Sequence, residues 1–190
     1  MSSWGASDSD ESKPKYLTDA EKKLVFANSS GWVLEAGSAF SGNDNTSATP
    51  EVLVAIGELN VALGSADITE IEFITTEFDK SDGGNIDVRV RFNEAVTVTG
   101  TPQFLVTNNT SSSRNITCDY LSGSTTNELI FRKTIAAGNA ATNADDVLKV
   151  VANPVSLNSG TIKDTGTTTN STITSALSIG TAAGTLTVAA

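Results

Sequence analysis

The segment Ile86-Asp87-Val88-Arg89-Val90-Arg91-Phe92 constrains the fold more than any other. Apolar residues stand at every second position, with charged residues between them. In an extended strand successive side chains point to opposite faces, so Ile86, Val88, Val90 and Phe92 share one face and Asp87, Arg89 and Arg91 the other. No helix gathers that pattern on one side. The segment is expected to be a half-buried strand with its charged face turned to water. A second, weaker alternation runs from Ile68 to Ile74, and a polar turn, Asp79 to Gly84, joins the two.

Short strands continue to the C-terminal end of the sequence. They are expected at 95–98, 103–107, 115–120, 128–133, 147–151, 161–163, 173–179 and 185–188, separated by Gly- and Asn-bearing turns. No helix of useful length is expected after Leu63. Many short strands at this spacing predict an all-β protein, with residues 65–190 forming a β-sandwich. Ser, Thr, Asn and Gly crowd the sequence; Thr packs well on a pleated surface, and the others favour turns.

Residues 1–64 read differently. Met1 to about Thr18 is a Ser- and Asp-rich arm carrying Trp4, Tyr16 and the basic patch Lys13-Pro14-Lys15. Thr18 with Glu21 has capping-box spacing and predicts a short helical turn. Strands are expected at 24–27, 31–35 and 51–56, with Leu59 to Leu63 continuing the sheet. So few strands bury little surface alone, and this small β-rich module is expected to dock on something else.

Composition narrows the chemistry. The sequence has no histidine, which removes the commonest general base and zinc ligand. The single cysteine, Cys118, has no partner for an internal disulfide, and it alternates with Ile116 and Tyr120 as a buried strand residue would. The net charge of −10 repels phosphate backbones, so nucleic acid is not an expected partner. The acidic N-terminus lacks the basic and apolar regions of a signal peptide, and no run approaches the ~18 apolar residues of a membrane span. A protein made in the cytoplasm and not associated with membranes is expected.

Two resemblances add to this reading. Arg91-Phe92-Asn93-Glu94-Ala95-Val96, Gly100-Thr101-Pro102, Tyr120-Leu121-Ser122-Gly123-Ser124, Leu129-Ile130-Phe131-Arg132 and Asn158 to Asp164 follow in order. Together they resemble the immunoglobulin-like (Ig-like) repeats of giant bacterial surface adhesins. Ser3-Trp4-Gly5 with Asp8, Glu11 to Leu17, Gly31-Trp32-Val33 and Pro50 to Ile56 are similar to virion proteins in tailed phages of marine cyanobacteria. The first resemblance implies an Ig-like β-sandwich, preceded by the small module and an extended N-terminal arm. The second implies a non-enzymatic structural protein of the virion, assembled in the host cytoplasm. Capsid decoration or cement is the expected role, with the major capsid protein or other virion proteins as partners and a homo-oligomer or symmetric array on the particle. The alternative is an adhesin or carbohydrate-binding surface module, or a neck or tail-fibre component.

Aromatic and basic residues on a polar arm are good anchors for a partner. Trp4, Lys13, Lys15, Tyr16 and Trp32 are therefore the candidate contacts, although Trp32 equally suits the core of the small module. No catalytic residue, cofactor or metal site is expected. Asp79 to Asp87 has the oxygen-rich look of a calcium loop but lacks EF-hand spacing, and a plain turn is the preferred reading. Asp145-Asp146 reads as a solvated turn. The Asn-x-Ser/Thr triplets at Asn28, Asn109, Asn115 and Asn170 are what a chain of this composition generates by chance.

Overall fold

One strand organises the molecule. The computed structural model describes residues 13–190, and in it the alternating segment belongs to a 16-residue strand, β6 (Gly84–Thr99). The sequence pattern predicts two strands here, at 86–92 and 95–98. They are continuous because the chain bends without breaking, with a register shift against its neighbour between Arg91 and Val96. Such an irregularity lets one strand serve two surfaces.

The described part of the chain opens with four short elements: α1 (Asp19–Lys22), β1 (Val25–Asn28), β2 (Gly31–Leu34) and β3 (Glu51–Ala55). Thr18 caps α1 as expected: its N–H donates to Glu21 Oε2 at 2.7 Å, and Glu21 N–H donates to Thr18 Oγ1 at 3.3 Å. The segment 59–63 is a one-turn helix, α2 (Leu59–Ala62), and not the strand expected. Leu59 and Leu63 stand four apart, a spacing that lies on one helical face, and a short apolar run fits either geometry. Leu59 is buried with Leu17, Val25, Ala27, Trp32 and Leu34 in a small core of its own.

The remaining strands are β4 (Ile68–Phe73), β5 (Phe78–Asp79), β7 (Gln103–Asn108), β8 (Ile116–Ser122), β9 (Thr126–Ile135), β10 (Val147–Lys149), β11 (Val155–Ser156), β12 (Thr161–Asp164) and β13 (Thr185–Ala189). The described residues are strand-dominated, and all-β is the fold class. Hydrogen bonding runs β3-β2-β1-β6-β9-β8-β7-β10-β13-β5, with β4 and β12 also on β6 and β11 on β7. All contacts are antiparallel except β1 with β6 and β13 with β5, which are parallel. Inward side chains of β4, β6, β9 and β8 meet those of β7, β10 and β13 in a large second core. The Phe104 and Phe131 rings, from β7 and β9, lie 5.7 Å apart within it.

The region 173–179, expected as a strand, instead leads into α3 (Leu177–Ala182). Asn153 Oδ1 accepts from Ser175 N–H at 2.9 Å and turns the chain. Ile179 and Ala183, four apart, then pack on the large core.

Gly31 shows how tightly the small module is built. It opens β2 at φ 133°, and a Cβ there would overlap the Val54 carbonyl of β3 and crowd Ile56 N. Only glycine combines that φ with so close a backbone approach. Gly31→Ala is expected to cost at least about 2 kcal/mol, against the slight gain such a change brings at an unstrained site. Urea unfolding of the two proteins measures the difference.

Candidate functional site

The two cores meet along β6, and the seam between them is polar. Arg91 is on the strand face expected to be solvated, yet it is only 5% exposed because the small module covers it. Its Nη1 donates to Glu70 Oε2 at 2.7 Å, and its Nε donates to Glu128 Oε1 at 2.6 Å and Glu35 Oε1 at 3.3 Å. Arg89 bonds Glu72 through Nε at 2.8 Å, with a further close contact from Nη2. Lys23 reaches Glu70 Oε1 at 2.6 Å, and Asn127 Nδ2 donates to Glu35 Oε1 at 2.7 Å. Glu35 follows β2 and Lys23 follows α1, whereas Glu70, Glu72 and Glu128 lie on β4 and β9. The network therefore joins the small module to the larger body.

Burial governs the charges here. It pushes Glu35 above the usual carboxylate range, and the nearby Glu128 adds to the effect. Burial would also raise Glu70, but hydrogen bonds from Lys23 and Arg91 outweigh it and hold Glu70 low. Burial alone would weaken the Arg91 charge; Glu35, Glu128 and Glu70 more than reverse this. Beside the network a cleft of about 380 Å³ opens between Phe26, Glu35, Thr46, Pro50, Asn127 and Glu128.

A second acidic group lies further along β6. Glu94 is fully buried, and the carboxyl of Asp164 on β12 is 1% exposed. Asp164 Oδ1 accepts from Gly166 N–H at 2.6 Å and Thr167 N–H at 3.3 Å. Its Oδ2 and both Glu94 oxygens have no hydrogen-bond donor. Burial first, then the charge of Asp164 and a hydrogen bond shared with it, push Glu94 up to about 9, with Asp67 contributing, so that a protonated Glu94 faces an ionised Asp164. Sequence reasoning passed over this pair, although a signal existed. Period-two counting puts Glu94 on the same face as Phe92 and Val96, and Asp164 on that of Ile162. A charge on a buried face is the anomaly.

The expected solvated turn at Asp145-Asp146 is corrected for its second residue. Asp146 is fully buried and accepts from Arg114 Nε at 2.8 Å and Nη2 at 2.6 Å. Asn143 N–H adds a third bond at 2.8 Å. An arginine fork 32 residues away supplies the partner, which no local pattern announces. The Asp79 loop is a turn closed on itself: Asp79 Oδ1 accepts from Ser81 N–H at 2.7 Å and from its hydroxyl at 2.6 Å. Cys118 is buried, which pushes its thiol up to about 12, and its Sγ donates to Ile86 O at 3.9 Å.

The candidate partner contacts separate. Tyr16 is 67% exposed and Lys15 is exposed. Lys13 is 7% exposed and donates from Nζ to Lys22 O at 2.8 Å. Trp32 is fully buried as the centre of the small core. Both side chains are buried in the small module. Trp4 lies outside the described residues. No helix among the described residues is long and apolar enough to cross a membrane. Among the same residues, no group of three or more His, Cys, Asp or Glu side chains is arranged to hold a metal ion. No family model, curated protein or solved structure matches the chain.

Two predictions follow from these charges. Arg91→Met leaves Glu35 buried without its guanidinium and Glu70 with Lys23 alone, and is expected to cost about 3 kcal/mol in urea unfolding. Adding Glu70→Gln to that variant is expected to recover part of the loss. Asp146 is held down to about 2, chiefly by its Arg114 hydrogen bonds. Its contribution is present above the ordinary carboxylate value of 3.8 and is lost as pH falls through about 2. Asp146→Asn is therefore expected to lower the melting temperature at pH 6 and to lose most of that difference at pH 2, as read by circular dichroism.

Proposed function

We propose that the chain is a non-enzymatic structural protein of a phage particle, acting in capsid decoration or cementing. Residues 13–64 face the shell, and residues 65–190 project outward as an Ig-like domain. The reading rests on the open edge of β3. Among the described residues this strand hydrogen-bonds to β2 on one side only, it ends the path of strands, and Val52 on it is 48% exposed. An unpaired edge is a template for a strand of another chain, whose backbone groups supply affinity and whose side chains supply selectivity. The same module exposes Tyr16 at 67% and Phe40 at 40%.

The order of the other strands supports the Ig-like part. β4 pairs with β6, and the path β6-β9-β8-β7-β10-β13 then follows the strand order A-B-E-D, C-F-G of an immunoglobulin constant-type domain, although here β8 and β7 are hydrogen-bonded to each other. Repetition over a particle multiplies a modest contact: each copy adds buried area, and the shell is stabilised by binding to its assembled form. The seam around Arg91 gives the outer domain a fixed mount.

The junction cleft favours a second reading, a carbohydrate-binding or adhesin module. It sets Thr46, Thr126, Asn127 and Glu128 beside Phe26. Such a mixture of polar groups and one apolar face suits a sugar's hydroxyls and ring.

Val52→Lys places a charge on the open edge and leaves both cores untouched. The variant is expected to melt as the parent does but to lose co-sedimentation with particles that lack the native protein. Undiminished co-sedimentation would refute the edge as the docking surface. Glycan-array binding by the intact chain, abolished by Asn127→Ala, would favour the second reading.

A further inference from the structure

The ionic seam around Arg91 is not balanced. Four carboxylates, from Glu35, Glu70, Glu72 and Glu128, share three cations, Lys23, Arg89 and Arg91. Each oxygen of Glu70, Glu72 and Glu128 accepts from at least one of these cations. Glu35 differs. Its Oε1 accepts from Asn127 Nδ2 at 2.7 Å and Arg91 Nε at 3.3 Å, while its Oε2 accepts no hydrogen bond among the described residues. Burial and the charge of Glu128 hold Glu35 above the ordinary carboxylate range, as befits a carboxyl short of a cation. Glu35 also lines the junction cleft of about 380 Å³. Phe26, Ala36, Ala48 and Pro50 give that cleft apolar walls, and Thr46 adds a hydroxyl. Asn127 lines it too, and uses its Nδ2 on Glu35, which leaves its Oδ1 as an acceptor. Pro50 immediately precedes β3, so the cleft adjoins the start of the open edge.

We propose that this cleft receives a lysine side chain from the partner strand that docks on β3. The inference rests on the docking role of that edge and names the chemistry of its partner. A lysine has an apolar stem, suited to walls such as Phe26 and Pro50, and a compact ammonium with three rotatable donors. Glu35 Oε2, Asn127 Oδ1 and the Thr46 hydroxyl are acceptors for such a group. Arginine fits less well. Its planar fork seeks both oxygens of one carboxylate, and Glu35 Oε1 is already bonded to Asn127 and Arg91. A neutral sugar brings hydroxyls but no charge, and leaves the seam one cation short. A bound lysine makes the count even. Main-chain pairing along β3 is the same for any sequence, whereas one charge held in a cleft fixes the register of the added strand and rejects strands that lack it.

The test uses the full chain and probes that do not need β3. N-acetyl-lysine methylamide, its uncharged isostere N-acetyl-norleucine methylamide and N-acetylglucosamine are titrated separately into isotope-labelled protein, and backbone amide shifts are followed. The lysine probe is expected to give saturable, millimolar shifts at Phe26, Ala48 and Asn127. The norleucine probe is expected to bind at least about tenfold more weakly, the effect of losing one charge-assisted hydrogen bond. Glu35→Gln keeps the shape, removes the charge and is expected to bring the two probes level. Ala48→Phe fills the cleft, adds no charge to the seam and is expected to abolish binding of the lysine probe. Circular dichroism checks that each variant is folded. The proposal is overturned if the lysine probe gives no saturable shift, if it binds no better than the norleucine probe, or if its preference survives in both variants. Saturable shifts from the sugar alone overturn it in favour of a carbohydrate ligand. The edge reading is tested apart from this: Val52→Lys is expected to leave the affinity of the lysine probe unchanged, so its loss of co-sedimentation reports on β3 and not on the cleft.

Discussion

Arg91 is the residue on which the arrangement of the whole molecule depends. It lies on β6, whose other face builds the large core, and its guanidinium gathers carboxylates from both sides of the seam. The apolar residues form two separate clusters, one drawn from residues 17–63 and the other from residues 66–188. Neither cluster crosses the seam. Among the described residues, hydrogen bonding crosses it: a parallel contact of β1 with β6 at Ala27 and Glu94, a bond from Thr167 Oγ1 to Gly64 O, and the ionic network.

A polar seam differs from an apolar one in what it specifies. Apolar surfaces tolerate sliding, because burial depends on area and not on direction. An arginine with several fixed carboxylates has few satisfactory geometries, and a misplaced module would leave charges buried and unpaired. The clamp thus sets orientation more than it adds stability. That property suits the docking role proposed for the β3 edge, which needs the edge held in a defined direction. Glu94 of the buried acid pair lies on the same strand, and Asp164 lies on β12, which pairs with it.

Much of the fold could be read in the sequence because strands announce themselves by alternation. Ile86 to Phe92 showed its buried face directly, and the capping box at Thr18 and Glu21 is a local pattern with a local cause. The errors fell where local pattern was silent or ambiguous. Leu59–Ala62 and Leu177–Ala182 are short apolar stretches that fit strand or helix, and neighbouring elements decided between them. The strand β6 was read as two because a bend looks like a break when only residue types are visible. The polar sites were harder still. Asp146 looked solvated because its partner, Arg114, is distant in sequence, and Arg91 looked solvated because nothing in its own strand reveals the module that covers it. Trp32 was a candidate for outward contact and for inward packing alike, and only the small core around it distinguished the two.

By itself, the sequence determined the all-β class, the inward face of each strong strand, the burial of Cys118 and the positions of most turns. These follow from backbone geometry and side-chain period, which act over a few residues. Tertiary structure alone decided which charges are buried, which carboxylates face one another, and which strand edge is left open. Those outcomes depend on contacts between residues tens of positions apart, where the same Glu or Arg is cheap in water and costly in the interior. A residue's chemistry is written in the chain, but the dielectric around it is set only when the chain has closed.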